Sequence, residues 1–321
     1  MLASTFRGGT CVVLGLSRMH GLLPGSRRSR TRKGGNVKRP LWVALVAALS
    51  VTVASCDGGE DEPSTAAPEP GIYHVHGLGI DPVDGSLYAA THYGLFRVPE
   101  GGGARRVGDS YQDTMGFTVV GPEHFLGSGH PDLQDPDLPP LLGLIESTDA
   151  GHSWQPLSLL GKADFHALSF RHGMVHGYDA TNERFMVSAD RQSWVTRSQP
   201  AGLVSFAVDP TSPDHVLATT SSGLLRSTDG GRTWDSASAP PLAFLSWADD
   251  GTLAAAGADA RIYVSSDSGA GWSEVGALPG LPEAFLAVDD GTLIAAVQAA
   301  GLYDSTDGGS TWRLRYRDEP T

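Results

Sequence analysis

The stretches STDAGHSW (residues 147–154), STDGGRTW (227–234), SSDSGAGW (265–272) and STDGGSTW (305–312) are four copies of one octapeptide. A fifth copy, SADRQSW (188–194), is one residue shorter and lacks the glycine. The tryptophans that end the copies lie at positions 154, 194, 234, 272 and 312, so the chain repeats every 38–40 residues. A period of this length predicts a fold built from repeated supersecondary units.

Each octapeptide has the composition of a tight hairpin turn. Aspartate can accept N–H bonds within its own turn, and glycine can adopt the positive φ that such turns require. The tryptophan then begins the next strand as a large apolar anchor. Five equivalent acids cannot all belong to one active site, so we interpret them as structural. They are Asp149, Asp190, Asp229, Asp267 and Asp307.

Four short strand patterns accompany each octapeptide. In one repeat they are LVSFAVDP (203–210), HVLATTSS (215–222), GLLRSTDG (223–230) and the strand that begins at Trp234. The segment from Tyr73 follows the same order without an octapeptide, which brings the count to six units. The sequence therefore predicts an all-β, six-bladed β-propeller of four-stranded antiparallel blades over residues 72–321. Seven blades is the alternative, but it requires a set of strands that the sequence does not show.

The octapeptide resembles the Asp-box (BNR) repeat, S-x-D-x-G-x-T-W. Residues 73–317 as a whole resemble bacterial lipoproteins described as sialidase-like or glycosyl-hydrolase-like β-propellers. Sialidases have an arginine in an R-I-P motif, which this chain lacks, so we expect no sialidase activity. Asp boxes belong to the scaffold, and no catalytic residue is assigned. If the protein is another glycoside hydrolase, the acids for its facing carboxyl pair would come from Asp113, Asp164, Asp179 and Glu183.

The first 56 residues have the pattern of a leader with a signal peptide. An apolar run of fifteen residues (41–55) follows a basic segment, and it is too short for a spanning helix. The run ends in Val53-Ala54-Ser55-Cys56, which resembles the lipobox of bacterial lipoproteins. The resemblance implies lipidation at Cys56 and anchoring to the outer face of the cell membrane. Residues 57–71 are acidic and rich in Pro and Gly, which is typical of a flexible tether.

Without the predicted leader, the chain is strongly acidic. Nine of the 23 basic residues and none of the 36 acidic residues precede Cys56, so the remainder has a formal net charge of −22. This charge argues against nucleic acid as a partner, whereas cations and neutral ligands stay open.

Nine of the eleven histidines lie between residues 74 and 176, within the first three blades. The segment YHVHGLGI (73–80) carries two of them on one predicted strand, so both side chains should point the same way. Aligning the first strands of the blades places six residues at one position, namely His76, Met115, His166, Val204, Ala243 and Ala284. Aligning the second strands places His92, His130 and Asp179 together. The two rows should share one rim of the propeller, opposite the Asp boxes.

These rows supply the ligand types of a transition-metal site. The candidate ligands are His76, His92, Met115, His130, His166 and Asp179, with His74, Asp113, Asp164 and His176 as an outer shell. Imidazoles suit copper or zinc, a thioether favours copper, and carboxylates orient imidazoles from behind. Two alternatives stay open: the groups hydrogen-bond one another, or they bind a polar organic ligand.

The sequence thus predicts a membrane-anchored extracytoplasmic β-propeller that binds a metal ion or small polar ligand on the rim of blades 1–3. One alternative is a glycoside hydrolase of sialidase-like fold. Another is a scaffold that docks a protein or glycan partner during assembly of a membrane complex.

Overall fold

The computed structural model describes residues 71–289 and 291–318. The predicted leader, the predicted lipidation site Cys56 and all but one residue of the predicted tether lie outside these ranges. Within the described residues, no helix has the length and apolar character needed to cross a membrane.

The described chain forms six sheets of four antiparallel strands, one after another along the sequence. Blade 1 contains β1 (Val75–Ile80), β2 (Leu87–Thr91), β3 (Gly94–Val98) and β4 (Arg105–Arg106). Blade 2 contains β5 (Asp113–Gly121), β6 (His124–His130), β7 (Leu144–Ser147) and β8 (Gln155–Ser158). Blade 3 contains β9 (Phe165–Arg171), β10 (Met174–Asp179), β11 (Arg184–Ser188) and β12 (Val195–Ser198). Blade 4 contains β13 (Leu203–Val208), β14 (Val216–Thr220), β15 (Gly223–Ser227) and β16 (Asp235–Ala237). Blade 5 contains β17 (Leu242–Trp247), β18 (Leu253–Gly257), β19 (Arg261–Ser265) and β20 (Ser273–Ala277). Blade 6 contains β21 (Pro282–Asp289), β22 (Thr292–Val297), β23 (Gly301–Ser305) and β24 (Arg313–Tyr316).

The first strand of each blade lies next to the first strand of the following blade, and β21 lies next to β1. The six blades therefore close into a ring, and the prediction of a six-bladed β-propeller is confirmed. Every blade is one continuous segment, so non-covalent contacts between blades 6 and 1 close the ring. The inner strands surround a central cavity of 380 Å³ that His76 and His166 help to line.

The hydrophobic core lies between neighbouring blades. Each of six apolar clusters combines side chains of two adjacent blades. Between blades 2 and 3, for example, Phe165 is fully buried and its ring stacks on Trp194 with the centroids 4.7 Å apart. Burial of such side chains stabilises the fold by about 1.5–3 kcal/mol each. Packing between neighbouring blades thus holds the first strands at fixed positions around the central cavity.

The octapeptide turns use their aspartates as hydrogen-bond acceptors. Oδ1 of Asp229 accepts hydrogen bonds from Oγ of Ser227 at 2.8 Å and the amide of Thr233 at 2.9 Å. Gly231 has a φ of 85°, and a Cβ at this glycine would lie 2.3 Å from the ring of Phe185. The turn therefore needs glycine both for its backbone conformation and for its contact with blade 3.

Candidate metal centres

A β-bulge at the start of each inner strand sets the direction of the rim side chains. In all six blades one residue of the inner strand lacks a partner on the second strand. The bulged residues are His76, Met115, His166, Val204, Ala243 and Glu283. Bulges re-aim side chains and are frequent beside functional sites. Here they place one side chain per blade at the same level of the ring.

The first group of ligand atoms, which we call centre A, consists of His74, His76, His92 and Asp113. One ligand atom from each of the three histidines lies within 4.8 Å of the other two. Nε2 of His76 lies 3.3 Å from Nδ1 of His92. Oδ1 of Asp113 lies 2.8 Å from the same Nδ1 and 3.3 Å from the same Nε2. His92 reaches this position from the two-residue turn between β2 and β3, where Thr91 pairs with Gly94.

Two sides of the triangle formed by these three atoms, each 3.3 Å long, have the length of an edge in a tetrahedral metal site, and the third side, at 2.8 Å, is shorter. Metal–imidazole bonds of about 2.0–2.1 Å in a tetrahedral site separate neighbouring ligand atoms by about 3.3–3.4 Å. Oδ1 of Asp113 is buried and has no aligned hydrogen-bond partner among the described residues, despite its short distances to two imidazoles. A buried carboxylate oxygen without an aligned donor is costly, and a bound cation would remove that cost.

His74 approaches centre A through an unusual backbone conformation. It precedes β1 and has a φ of 54°, a left-handed conformation that costs a residue other than glycine about 1–2 kcal/mol. Its ring centroid lies 4.8 Å from that of His76 and 4.9 Å from that of His92. Nδ1 of His74 bonds Oε1 of Glu283 at 3.0 Å, so Nε2 is the nitrogen left to bind an ion. A carboxylate behind an imidazole is the usual support of a metal-binding histidine.

The electrostatics of centre A keep two of its side chains in the protonation states that metal binding would require. Burial lowers the pKa of His76, and the proximity of Asp113 only partly opposes this effect, so the imidazole stays neutral at pH 7. Burial alone would raise the pKa of Asp113, but the neighbouring His76 and His92 lower it overall, so the carboxyl stays ionised. Metal binding requires both of these protonation states.

A second group, which we call centre B, consists of His130, Asp164 and His166 in blades 2 and 3. Its three ligand atoms also lie within 4.8 Å of one another. The sequence predicted a single six-residue site, whereas the structure separates the histidines into these two groups. It also places Asp113 and Asp164 beside the imidazole nitrogens rather than behind them.

Glu283 is the site residue that the sequence alignment missed. The alignment assigned Ala284 to the bulge position of blade 6, which is wrong by one residue. The cause is a second irregularity in this strand, where Val288 lies unpaired between Ala287 and Asp289. An alignment anchored on Phe206 and Phe285, rather than on the end of the strand, would have found Glu283.

Asp179 was also aligned one position away from its structural place. Asp179 pairs with Phe165 in the register of blade 3, whereas Asp113 pairs with His130 in blade 2. Asp179 is only 1% exposed and accepts hydrogen bonds from the amide of Asp164 and from Nδ2 of Asn182. The first of these contacts fixes the backbone of Asp164, and Asp179 is not one of the three residues grouped in centre B.

His176 and Met115 form no hydrogen bond or ion pair with the residues of either centre within the described part of the chain. His176 is buried in the middle of β10, and the charge of Arg197 acts on it. Burial, with a further contribution from Arg197, lowers its pKa to about 4. Met115 is half-buried at the bulge position of blade 2.

The fold defines the protein as a six-bladed β-propeller, and comparisons with known proteins extend no further than the fold. No protein-family model matches the chain, and a search of curated protein sequences finds no match. A gluconolactonase from Xanthomonas campestris is 12% identical over 73% of this chain and 86% of its own, with a TM-score of 0.59. The GH74 enzyme of Niastella koreensis is 14% identical, with a TM-score of 0.56, over 76% of this chain and 45% of its own. An ancestral GH74 enzyme is 15% identical, with a TM-score of 0.51, over 76% of this chain and 39% of its own. This chain therefore spans less than half the length of the GH74 enzymes.

Proposed function

We propose that this protein is an exported, lipid-anchored β-propeller that binds a transition-metal ion at centre A. The observation that carries the proposal is the triangle of Nε2 of His76, Nδ1 of His92 and Oδ1 of Asp113, with sides of 2.8–3.3 Å. The supported imidazole of His74 supplies a fourth ligand. Three imidazoles and one carboxylate are a ligand set that suits zinc or copper.

The alternative in which the polar groups only hydrogen-bond one another explains less of the geometry. Nε2 of His76 and Nδ1 of His92 both converge on Oδ1 of Asp113, at 3.3 Å and 2.8 Å, yet neither is aligned as a hydrogen-bond donor to that oxygen. A left-handed His74 and an unaligned buried carboxylate oxygen both cost free energy in a purely structural cluster.

The glycoside hydrolase alternative receives no support from Asp113, Asp164 and Asp179, three of the four acids that we assigned to it. Asp113 and Asp164 each contact two histidines, and Asp179 is buried and held by two hydrogen bonds. Such groups are not poised as a facing acid and nucleophile. The similarity of this chain to the enzymes compared above therefore supports a common fold only.

The proposal is tested by titrating chelator-treated protein with Zn²⁺ and Cu²⁺ in a calorimeter. His76→Ala and His92→Ala should each weaken binding at centre A by at least tenfold. His152→Ala is the matched control, because His152 is an exposed histidine in the Asp-box turn at 147–154. Equal affinities in all four proteins would contradict the proposal.

The location is tested separately, by fractionating cells that express the full chain. Cys56→Ala should move the protein from the membrane fraction to the soluble fraction, because the proposed acylation nucleophile is lost. Membrane association that survives this substitution would contradict a lipid anchor at Cys56.

A further inference from the structure

Centre B differs from centre A in its number of protein ligands and in its access to solvent. It offers two imidazoles and one carboxylate from His130, His166 and Asp164. The side chains of His130 and His166 are 40% and 39% exposed, whereas that of Asp164 is 5% exposed. Centre B thus combines one buried carboxylate with two imidazoles that are exposed to solvent.

The hydrogen bonds around His130 fix which of its nitrogens faces the carboxylate. Nδ1 of His130 lies 2.8 Å from the carbonyl oxygen of Pro140, which only accepts, so Nδ1 carries the proton. In the neutral ring, Nε2 then directs a lone pair toward Oδ2 of Asp164 at 3.7 Å. Two lone pairs that face each other across this gap are the arrangement that a cation would bridge.

Asp164 has a fixed backbone, and one of its two carboxylate oxygens is buried without a hydrogen-bond partner among the described residues. Its amide donates to Oδ1 of Asp179 at 3.2 Å, which fixes its backbone. Its Oδ2 lies 2.8 Å from Nε2 of His166, while its buried Oδ1 has no hydrogen-bond partner among the described residues. Native structures rarely leave such an atom without a partner.

We propose that centre B is a second metal centre, one that holds a divalent transition-metal ion through three protein ligands and keeps coordination positions for exogenous ligands. Those positions face solvent between the two exposed imidazoles, so water or a small anion such as a carboxylate would fill them. Three protein ligands with an open position are the pattern of exchangeable and catalytic metal sites, whereas four ligands close a site. This inference is independent of metal binding at centre A, although Asp113 and His130 are cross-strand neighbours in blade 2.

The test uses Co²⁺ as a spectroscopic probe and azide as the small anion. Chelator-treated wild-type protein should bind two Co²⁺ ions, and both His166→Ala and His130→Gln should bind one. Azide should change the visible d–d absorption of the wild type and of His76→Ala, but not that of the two centre B variants. His152→Ala should behave as the wild type.

Each result has a distinct meaning for the two centres. If His166→Ala and His130→Gln bind as many ions as the wild type, or respond equally to azide, centre B is not a metal site. If His76→Ala keeps the wild-type stoichiometry while the centre B variants lose one ion, the function proposed for centre A fails and centre B stands. Wild-type protein that binds no Co²⁺ contradicts both.

Discussion

Replacing His176 with glutamine should remove a large part of the acid sensitivity of the fold. Burial lowers the pKa of this imidazole to about 4 from an ordinary value of 6.5. Between pH 6.5 and about pH 4, the unfolded chain therefore binds a proton at His176 that the folded chain does not bind. As a result, the free energy of unfolding decreases as the pH falls. At 1.36 kcal/mol per pH unit, the loss between pH 7 and pH 4.5 is about 2.5 kcal/mol.

The assay is urea unfolding at pH 7 and pH 4.5 with a chelator present, so that metal binding does not contribute. The wild type should lose about 2.5 kcal/mol more unfolding free energy than His176→Gln across this interval. For a domain of this size the same difference amounts to about 5–10 °C in Tm. Equal losses in the two proteins would refute the reasoning. Because His176 lies outside both centres, the variant should also keep the metal stoichiometry of the wild type.

Three further predictions concern the carboxylate that supports His74, the pH dependence of metal binding and the octapeptide turns. Glu283→Gln should weaken metal binding at centre A by about 10–100-fold in calorimetry, because His74 loses its carboxylate partner, whereas the exposed control Glu274→Gln should have no effect. Zinc affinity at centre A should fall as the pH falls, because protons compete with the ion for the imidazole nitrogens; a constant affinity from pH 8 down to pH 5 would speak against histidine ligation. Gly231→Ala should lower the unfolding free energy by about 2–4 kcal/mol, since strain at positive φ adds to a collision with Phe185. Gly308→Ala has a similar φ and open space around it, so about 1 kcal/mol is expected, and equal losses would contradict the collision.

The fold was predictable because the repeat has the same physical cause in its four full copies. Asp229 and Gly231 illustrate it, since the first accepts the hydrogen bonds of the turn and the second supplies its positive φ. Once the turns are placed, the strands between them have little choice of partner. The number of blades then follows from counting repeats.

The candidate site was predictable in its residue types but not in its detailed geometry. The sequence pattern predicted that His76 and His92 lie on one rim of the propeller. It did not predict the β-bulges that direct the side chains at the starts of the inner strands. An extra residue at Val288 was enough to conceal Glu283, because a one-residue shift in a strand changes the face of every side chain. The left-handed backbone of His74 is likewise set by tertiary contacts and not by a local pattern.

Anomalous X-ray diffraction from crystals grown with zinc, recorded at the zinc edge, tests the central claim most directly. We expect a peak at centre A, bonded to Nε2 of His76, Nδ1 of His92 and Oδ1 of Asp113 at about 2.0–2.2 Å. If these three atoms are well ordered and keep separations of 2.8–3.3 Å with no anomalous peak between them, the metal-binding account is wrong.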